Sequence, residues 1–114
     1  MDSTPTLLTC GGLGSMEDLE RLQDSADRAS TLLRALGNGY RLMILCKLID
    51  GEKSVSELER SVGLSQSAIS QHLARLRRDS LVRTRRAGKV IYYSINGREA
   101  EAIIRTLYGL YCSA

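Results

Sequence analysis

Residues 54–76 read Ser54-Val55-Ser56-Glu57-Leu58-Glu59-Arg60-Ser61-Val62-Gly63-Leu64-Ser65-Gln66-Ser67-Ala68-Ile69-Ser70-Gln71-His72-Leu73-Ala74-Arg75-Leu76. Ser54 and Glu57 have the spacing of a capping box, in which a hydroxyl and a carboxylate each satisfy a backbone N–H at the start of a helix. Gly63 ends such a helix, because it enters the left-handed region without a Cβ clash. Ser65 offers a second cap just beyond, and Ile69, Leu73 and Leu76 then recur at helical spacing as an inward face. The stretch therefore predicts a short helix, a tight Gly63-Leu64 turn and a second helix. Gln66, Ser67, Ser70 and Gln71 stand near the start of that second helix.

Working outward, the period changes from 3.6 to about two after Asp79-Ser80. Val82-Arg83-Thr84-Arg85-Arg86, the tip Ala87-Gly88-Lys89 and Val90-Ile91-Tyr92-Tyr93-Ser94-Ile95 read as a β-hairpin. Tyr92 and Tyr93 alternate, so one packs inward and the other faces the hairpin surface. Asn96-Gly97-Arg98-Glu99 offers a cap for a last helix marked by Ala100, Ile103, Ile104, Leu107, Tyr108 and Tyr111. Upstream, Ser15 caps a helix whose apolar residues Met16, Leu19, Leu22, Ala26, Ala29, Leu33 and Leu36 run to Gly37. Asn38 caps the next, which runs to about Asp50 before Gly51. Its stripe Leu42, Leu45, Cys46 and Ile49, joined by Met43, Ile44 and Leu48, is apolar nearly all round and predicts burial. Residues 1–14 hold the single proline and three glycines, and are expected to be a flexible tail before a domain over 15–114.

The predicted fold is mainly α with a small β-hairpin, in the order α-α-α-α-β-β-α: a winged helix-turn-helix. Such a recognition helix reads base edges in the major groove from polar residues near its N-terminus. A wing brings cations to the neighbouring phosphates. Gln66, Ser67, Ser70 and Gln71 suit the first role; Arg85, Arg86 and Lys89 suit the second. Ser54 and Ser56, at the start of the preceding helix, are further candidate DNA contacts.

Charge supports this reading. The chain carries a net +3, yet residues 71–89 hold seven cations against Asp79, while residues 1–30 hold six acids against Arg21 and Arg28. A concentrated basic segment in a nearly balanced chain implies a polyanion held at one face. At 114 residues, 43% hydrophobic and 25% charged, the chain is expected to be one ordinary globular domain, too apolar for disorder. Phe and Trp are absent, so the core must be aliphatic, and at this size dimerisation helps bury apolar surface. No run approaches the roughly 18 apolar residues of a membrane span, and no secretion signal is visible, so a cytoplasmic, non-membrane protein is expected. Neither a Ser/His/Asp set nor a phosphate-cradling glycine loop is present, which argues against an enzyme. His72, the one histidine, lies among core-facing residues and is expected to pack or touch a phosphate.

Ala35-Leu36-Gly37-Asn38-Gly39-Tyr40-Arg41-Leu42, Ser54-Val55-Ser56-Glu57-Leu58, Leu64 through Leu73, and Val90 through Ile95 together resemble the ArsR/SmtB family of bacterial winged-helix repressors. The resemblance covers nearly everything after residue 15. It implies a homodimer joined through the first and last helices, one recognition helix per protomer in successive major grooves of operator DNA, and repression relieved by an inducer. Many members of that family sense metals, but Ser54 and Ser56 stand where one metal motif has cysteines. Residues 97–114 also lack the Asp and His ligands of another. No resident metal or cofactor is therefore expected. The three cysteines, Cys10, Cys46 and Cys112, are widely spaced and form no CxxC. Cys46 on the second helix and Cys112 at the end of the last resemble the dithiol of the sulfide- and persulfide-responsive branch. That resemblance implies redox sensing by an intraprotomer di- or polysulfide bridge that releases DNA. The same thiols also suit a soft metal, arsenite or general oxidants. Tyr108, one turn before Cys112, is a candidate shield for the thiol pocket.

Overall fold

The computed structural model describes residues 15–112. The tail expected over 1–14, with Cys10, lies outside the described residues. The chain divides into two compact units, Met1–Thr31 and Leu32–Ala114. The described part of the first is the N-terminal portion of helix α1 (Met16–Leu36). Ser15 starts it: its Oγ accepts the Asp18 N–H at 3.0 Å, and Glu17 and Asp18 suit the positive end of the helix dipole. Met16, Leu19 and Leu22 on this portion are exposed.

In the second unit the elements follow as α2 (Gly39–Leu48), β1 (Lys53–Ser54), α3 (Val55–Val62), α4 (Gln66–Arg78), β2 (Val82–Ala87), β3 (Val90–Ile95) and α5 (Arg98–Tyr111). The caps predicted from sequence hold. Asn38 accepts the Tyr40 and Arg41 N–H groups, and Ser54 and Glu57 complete the capping box. Ser65 accepts from Ala68, and Gly63 ends α3 at φ 82°. Arg41 adds a device the sequence did not announce. Its guanidinium donates to the Ala35 and Arg34 carbonyls in the last turn of α1, where the Arg34 carbonyl also accepts the Gly37 N–H.

The core is aliphatic, as expected. It gathers Ala35, Leu36, Ile44, Leu45, Leu48, Leu58, Ile69, Leu73, Leu76, Leu81, Val82, Ala100 and Ile104. Each fully buried Leu or Ile contributes roughly 1.5–3 kcal/mol of hydrophobic stabilisation. α2 runs through the middle: Leu45 of the predicted stripe is deepest together with Ile44 and Leu48, Leu42, Cys46 and Ile49 are half-buried against the core, and Met43 is exposed. α2 also ends at Leu48 rather than near Asp50.

The sheet corrects the predicted element string. It has three antiparallel strands in the order β1-β3-β2, because Lys53 and Ser54 pair with Tyr93 and Tyr92. β2 and β3 form the expected hairpin, from Val82 opposite Ile95 to Ala87 opposite Val90. Gly88 turns the tip at φ 65°, as a two-residue hairpin loop needs. Tyr93 packs on the core, whereas the Tyr92 ring lies under the Arg85 guanidinium. Asn96 is not the cap of α5. Gly97 occupies that position without a side-chain hydrogen bond, and Asn96 Nδ2 instead donates to the Ser80 carbonyl at 2.9 Å, closing the base of the hairpin. Among the described residues no helix is long and apolar enough to cross a membrane.

The end of α4 holds a local strain. The Leu81 N–H reaches the Leu76 carbonyl and the Ser80 N–H reaches that of Arg77, with Leu76 and Leu81 both buried. This is a Schellman motif, whose left-handed position is usually glycine. Here it is Ser80, at φ 62° and exposed. Ser80→Gly removes the Cβ strain of about 1–2 kcal/mol and gives back part of it as unfolded-chain entropy. A net gain of about 0.5–1 kcal/mol is expected, readable as a melting temperature raised by a few degrees.

Candidate nucleic-acid interface and thiol pair

Helix α4 buries Ile69, Leu73 and Leu76 and leaves Gln66, Ser67, Ser70 and Gln71 exposed. The Ser65 cap fixes where the helix begins, so these four side chains occupy its first two turns. α3 and α4, joined by the Gly63 turn, pack on each other and on α2. The helix-turn-helix is thus backed by the deepest part of the core. His72 is half-buried beside this face, its ring centroid 6.0 Å from that of Tyr40. Burial, and then the nearby Arg41 charge, hold its pKa below the usual histidine value, which favours the neutral ring.

The other expected contacts divide into two groups. Ser56, Arg86 and Lys89 are exposed. Ser54 is half-buried and serves the cap: its Oγ accepts the Glu57 N–H at 3.2 Å, and its own N–H donates to Glu57 Oε1 at 2.8 Å. That backbone hydrogen bond holds the Glu57 carboxyl below the ordinary range. Arg85 is also engaged. Its Nε donates to both carboxylate oxygens of Glu52 at 3.1 and 3.2 Å, its Nη2 donates to Oε1, and its Cζ lies 5.0 Å from the Tyr92 ring centroid. Sequence reasoning missed Glu52. Its partner is 33 residues away, and only the β1–β3–β2 pairing brings the two together.

Cys46 and Cys112 are both free thiols. Cys46 is half-buried on α2, and Cys112 is exposed at the end of α5, a helix that packs against α2. Burial pushes the Cys46 thiol above its ordinary pKa, charge on Cys112 pushes it further, and Lys47 opposes both. The Cys112 N–H donates to the Tyr108 carbonyl at 2.8 Å. The Tyr108 ring, expected over the thiols, is 60% exposed, so the residue meets Cys112 through its backbone. Among the described residues, no three of His, Cys, Asp and Glu gather where they could hold a metal ion.

Comparison with known proteins places this architecture. Residues 38–84, from the cap of α2 into β2, match the model of the bacterial regulatory protein, arsR family. The transcriptional activator HlyU of Vibrio cholerae is 46% identical over 101 residues, spanning 89% of this chain and 94% of the relative. A structure of reduced HlyU superimposes with a TM-score of 0.77 over 82% of this chain and 98% of that one, at 46% identity. The biofilm growth-associated repressor of Xylella fastidiosa is 38% identical, over 85% of this chain and 82% of the relative. A homodimeric winged helix-turn-helix DNA-binding domain from Mycobacterium bovis is 30% identical, with a TM-score of 0.71 over 79% of this chain and 83% of that one. Sequence and fold agree: the chain belongs to the ArsR family of bacterial regulatory proteins and is a winged helix-turn-helix transcriptional regulator.

Proposed function

We propose that the chain is a homodimeric repressor that binds duplex operator DNA in the bacterial cytoplasm and releases it when reactive sulfur species bridge Cys46 and Cys112. The observation that carries the sensing part is the thiol pair itself. The two free cysteines lie on packed helices, close enough for one to raise the pKa of the other. α2 also packs against α3 and α4, so chemistry at Cys46 is one helix away from the DNA-reading unit. The relatives named as a repressor and as homodimeric, and the one whose reduced form is a separate structure, support this reading. The test is an intact mass of the reduced protein after a low-molecular-weight persulfide, followed by DNA binding on the same sample. Recovery with reductant, and not with chelator, separates thiol chemistry from a metal response.

On the DNA side, Gln66, Ser67, Ser70 and Gln71 are assigned to base edges, with Ser56, Arg86 and Lys89 at the backbone. Replacing Gln71 by Ala is expected to cost about 1–3 kcal/mol on a selected duplex and little on random DNA, narrowing the ratio between them. Lys89→Ala is expected to weaken both together and to flatten the salt dependence by about one unit per protomer. Titrations at several salt concentrations check both. A specificity ratio untouched by the Gln71 change moves the reading face elsewhere.

A further inference from the structure

The wing exposes several cations, and the structure pairs Arg85 among them with a carboxylate. Arg86 and Lys89 are exposed near the tip. Arg85 instead meets Glu52, just before β1, through both Nε and Nη2, and its guanidinium covers the ring of its cross-strand neighbour Tyr92. Tyr92 in turn pairs with Ser54, the cap of α3. Carboxylate, guanidinium and ring thus form one bracket between the wing and the entry to the helix-turn-helix. Side chains of Arg85 and Glu52 remain 58% and 38% exposed, so the bracket sits at the surface, where DNA phosphates would compete for the same cation.

We propose that Glu52 limits sequence-independent affinity for DNA by holding Arg85 in the bracket, withholding one cation per protomer from contact with phosphates. The inference rests on the DNA-binding reading above. A phosphate that took Arg85 would have to break a two-toothed guanidinium–carboxylate contact, the stronger geometry for such pairs. It would also leave the Glu52 carboxylate unpaired beside the DNA anions. The mutual hydrogen bonds hold Glu52 below and Arg85 above their ordinary pKa values, so both partners are charged at neutral pH. Non-specific affinity is almost wholly electrostatic, whereas specific affinity also draws on base contacts. Withholding a cation therefore lowers affinity for any duplex by the same factor, although it removes a larger share of the binding free energy from random DNA.

The experiment uses the full-length reduced protein with two probes: a random-sequence duplex, and a duplex selected by the wild-type protein from a randomised pool. Apparent Kd is measured from about 50 to 200 mM salt, where each phosphate contact carries a slope of about −0.9 in log affinity. Glu52→Gln is expected to free Arg85, steepen the slope by about 0.9 per protomer, and make random-duplex binding fall about tenfold more over that range in a dimer. Affinity for selected and random duplexes rises together at low salt, so their ratio holds. Arg85→Ala alone is expected to leave the slope unchanged, and Glu52→Gln with Arg85→Ala to return to it. A bracket that is only structural support would loosen the hairpin without moving the slope. An Arg85→Ala protein whose slope flattens by about 0.9 per protomer, with Glu52→Gln silent, shows that Arg85 already binds phosphate and overturns the inference. Wild-type protein that binds neither duplex removes the DNA-binding reading itself, an outcome distinct from binding with unaltered slopes.

Discussion

A chain carrying Leu22→Glu on α1 and Leu110→Glu on α5 is expected to be monomeric and to lose DNA affinity by about two to four orders of magnitude. Both residues belong to stripes that the core does not use. Met16, Leu22 and Leu33 on α1 are 74%, 53% and 62% exposed, and Tyr108, Leu110 and Tyr111 on α5 are 60%, 70% and 82% exposed. Apolar faces of this extent mark surfaces that another molecule covers. The α5 residues that serve the fold are different ones: Ala100 and Ile104 are buried at 2% and 1% exposure. Removing residues 100–114 would therefore strip the core and cause aggregation, whereas the two glutamates leave it intact. They place charge only where a partner would have to desolvate it. In a dimer, binding at one half-site raises the effective concentration of the second reading head, and that multiplication of about 10²–10⁴ disappears in a monomer. Light scattering reports the mass and a titration reports the affinity. A double variant that remained dimeric would send the interface elsewhere, and a monomer with unimpaired affinity would end the two-half-site reading.

What the sequence made legible followed the strength of local chemistry. Asn38, Ser54 with Glu57, Gly63 and Ser65 each fix a helix end by a hydrogen bond or a left-handed turn within four residues, and each stands where predicted. The alternation of Tyr92 and Tyr93 divided surface from core for the same local reason. The misses are non-local. β1 is two residues long, below any periodicity, and exists because β3 offers it an edge. Asn96 had two uses open to it, and the carbonyl of Ser80, distant in sequence, won it from the helix cap. Glu52 has no local partner to announce it, and only the sheet brings Arg85 to it. On the site, the polar start of α4 was readable because the buried stripe dictates what is left outside. The unequal surroundings of the two thiols were not, since the α2–α5 packing creates them.

Those unequal surroundings shape the expected response to persulfide. A thiolate is the nucleophile, and burial together with the neighbouring thiol keeps Cys46 protonated at higher pH than usual, so its modification is expected to accelerate as pH rises above neutrality. The exposed Cys112 carries no such burial. In the proposed sequence each thiolate attacks the terminal sulfur of a persulfide R–S–SH, giving Cys–S–SH and releasing R–S⁻. One protein persulfide anion then attacks the Sγ of the other, expelling HS⁻ and leaving Cys46–S–S–S–Cys112. The oxidising equivalents come from the two persulfides, and the product is one sulfur heavier and two hydrogens lighter than the reduced chain. A direct disulfide requires Cα atoms within roughly 7 Å with converging Cβ vectors, whereas each inserted sulfur adds about 2 Å of reach. Peroxide supplies no sulfur and is expected to stop at sulfenic acid or force the shorter bridge. Once α5 is tied to α2, the helix behind α3 and α4 is no longer free to hold its reduced position, and a loss of DNA affinity of about 5–150-fold is the ordinary range for such coupling. Mass spectrometry and DNA titration on wild type, Cys46→Ser, Cys112→Ser and Cys10→Ser check this. Only the Cys10→Ser protein is expected to match wild type. A Cys46→Ser protein that still released DNA on persulfide would end the two-thiol model, and a bridge without added sulfur mass would end the argument from reach.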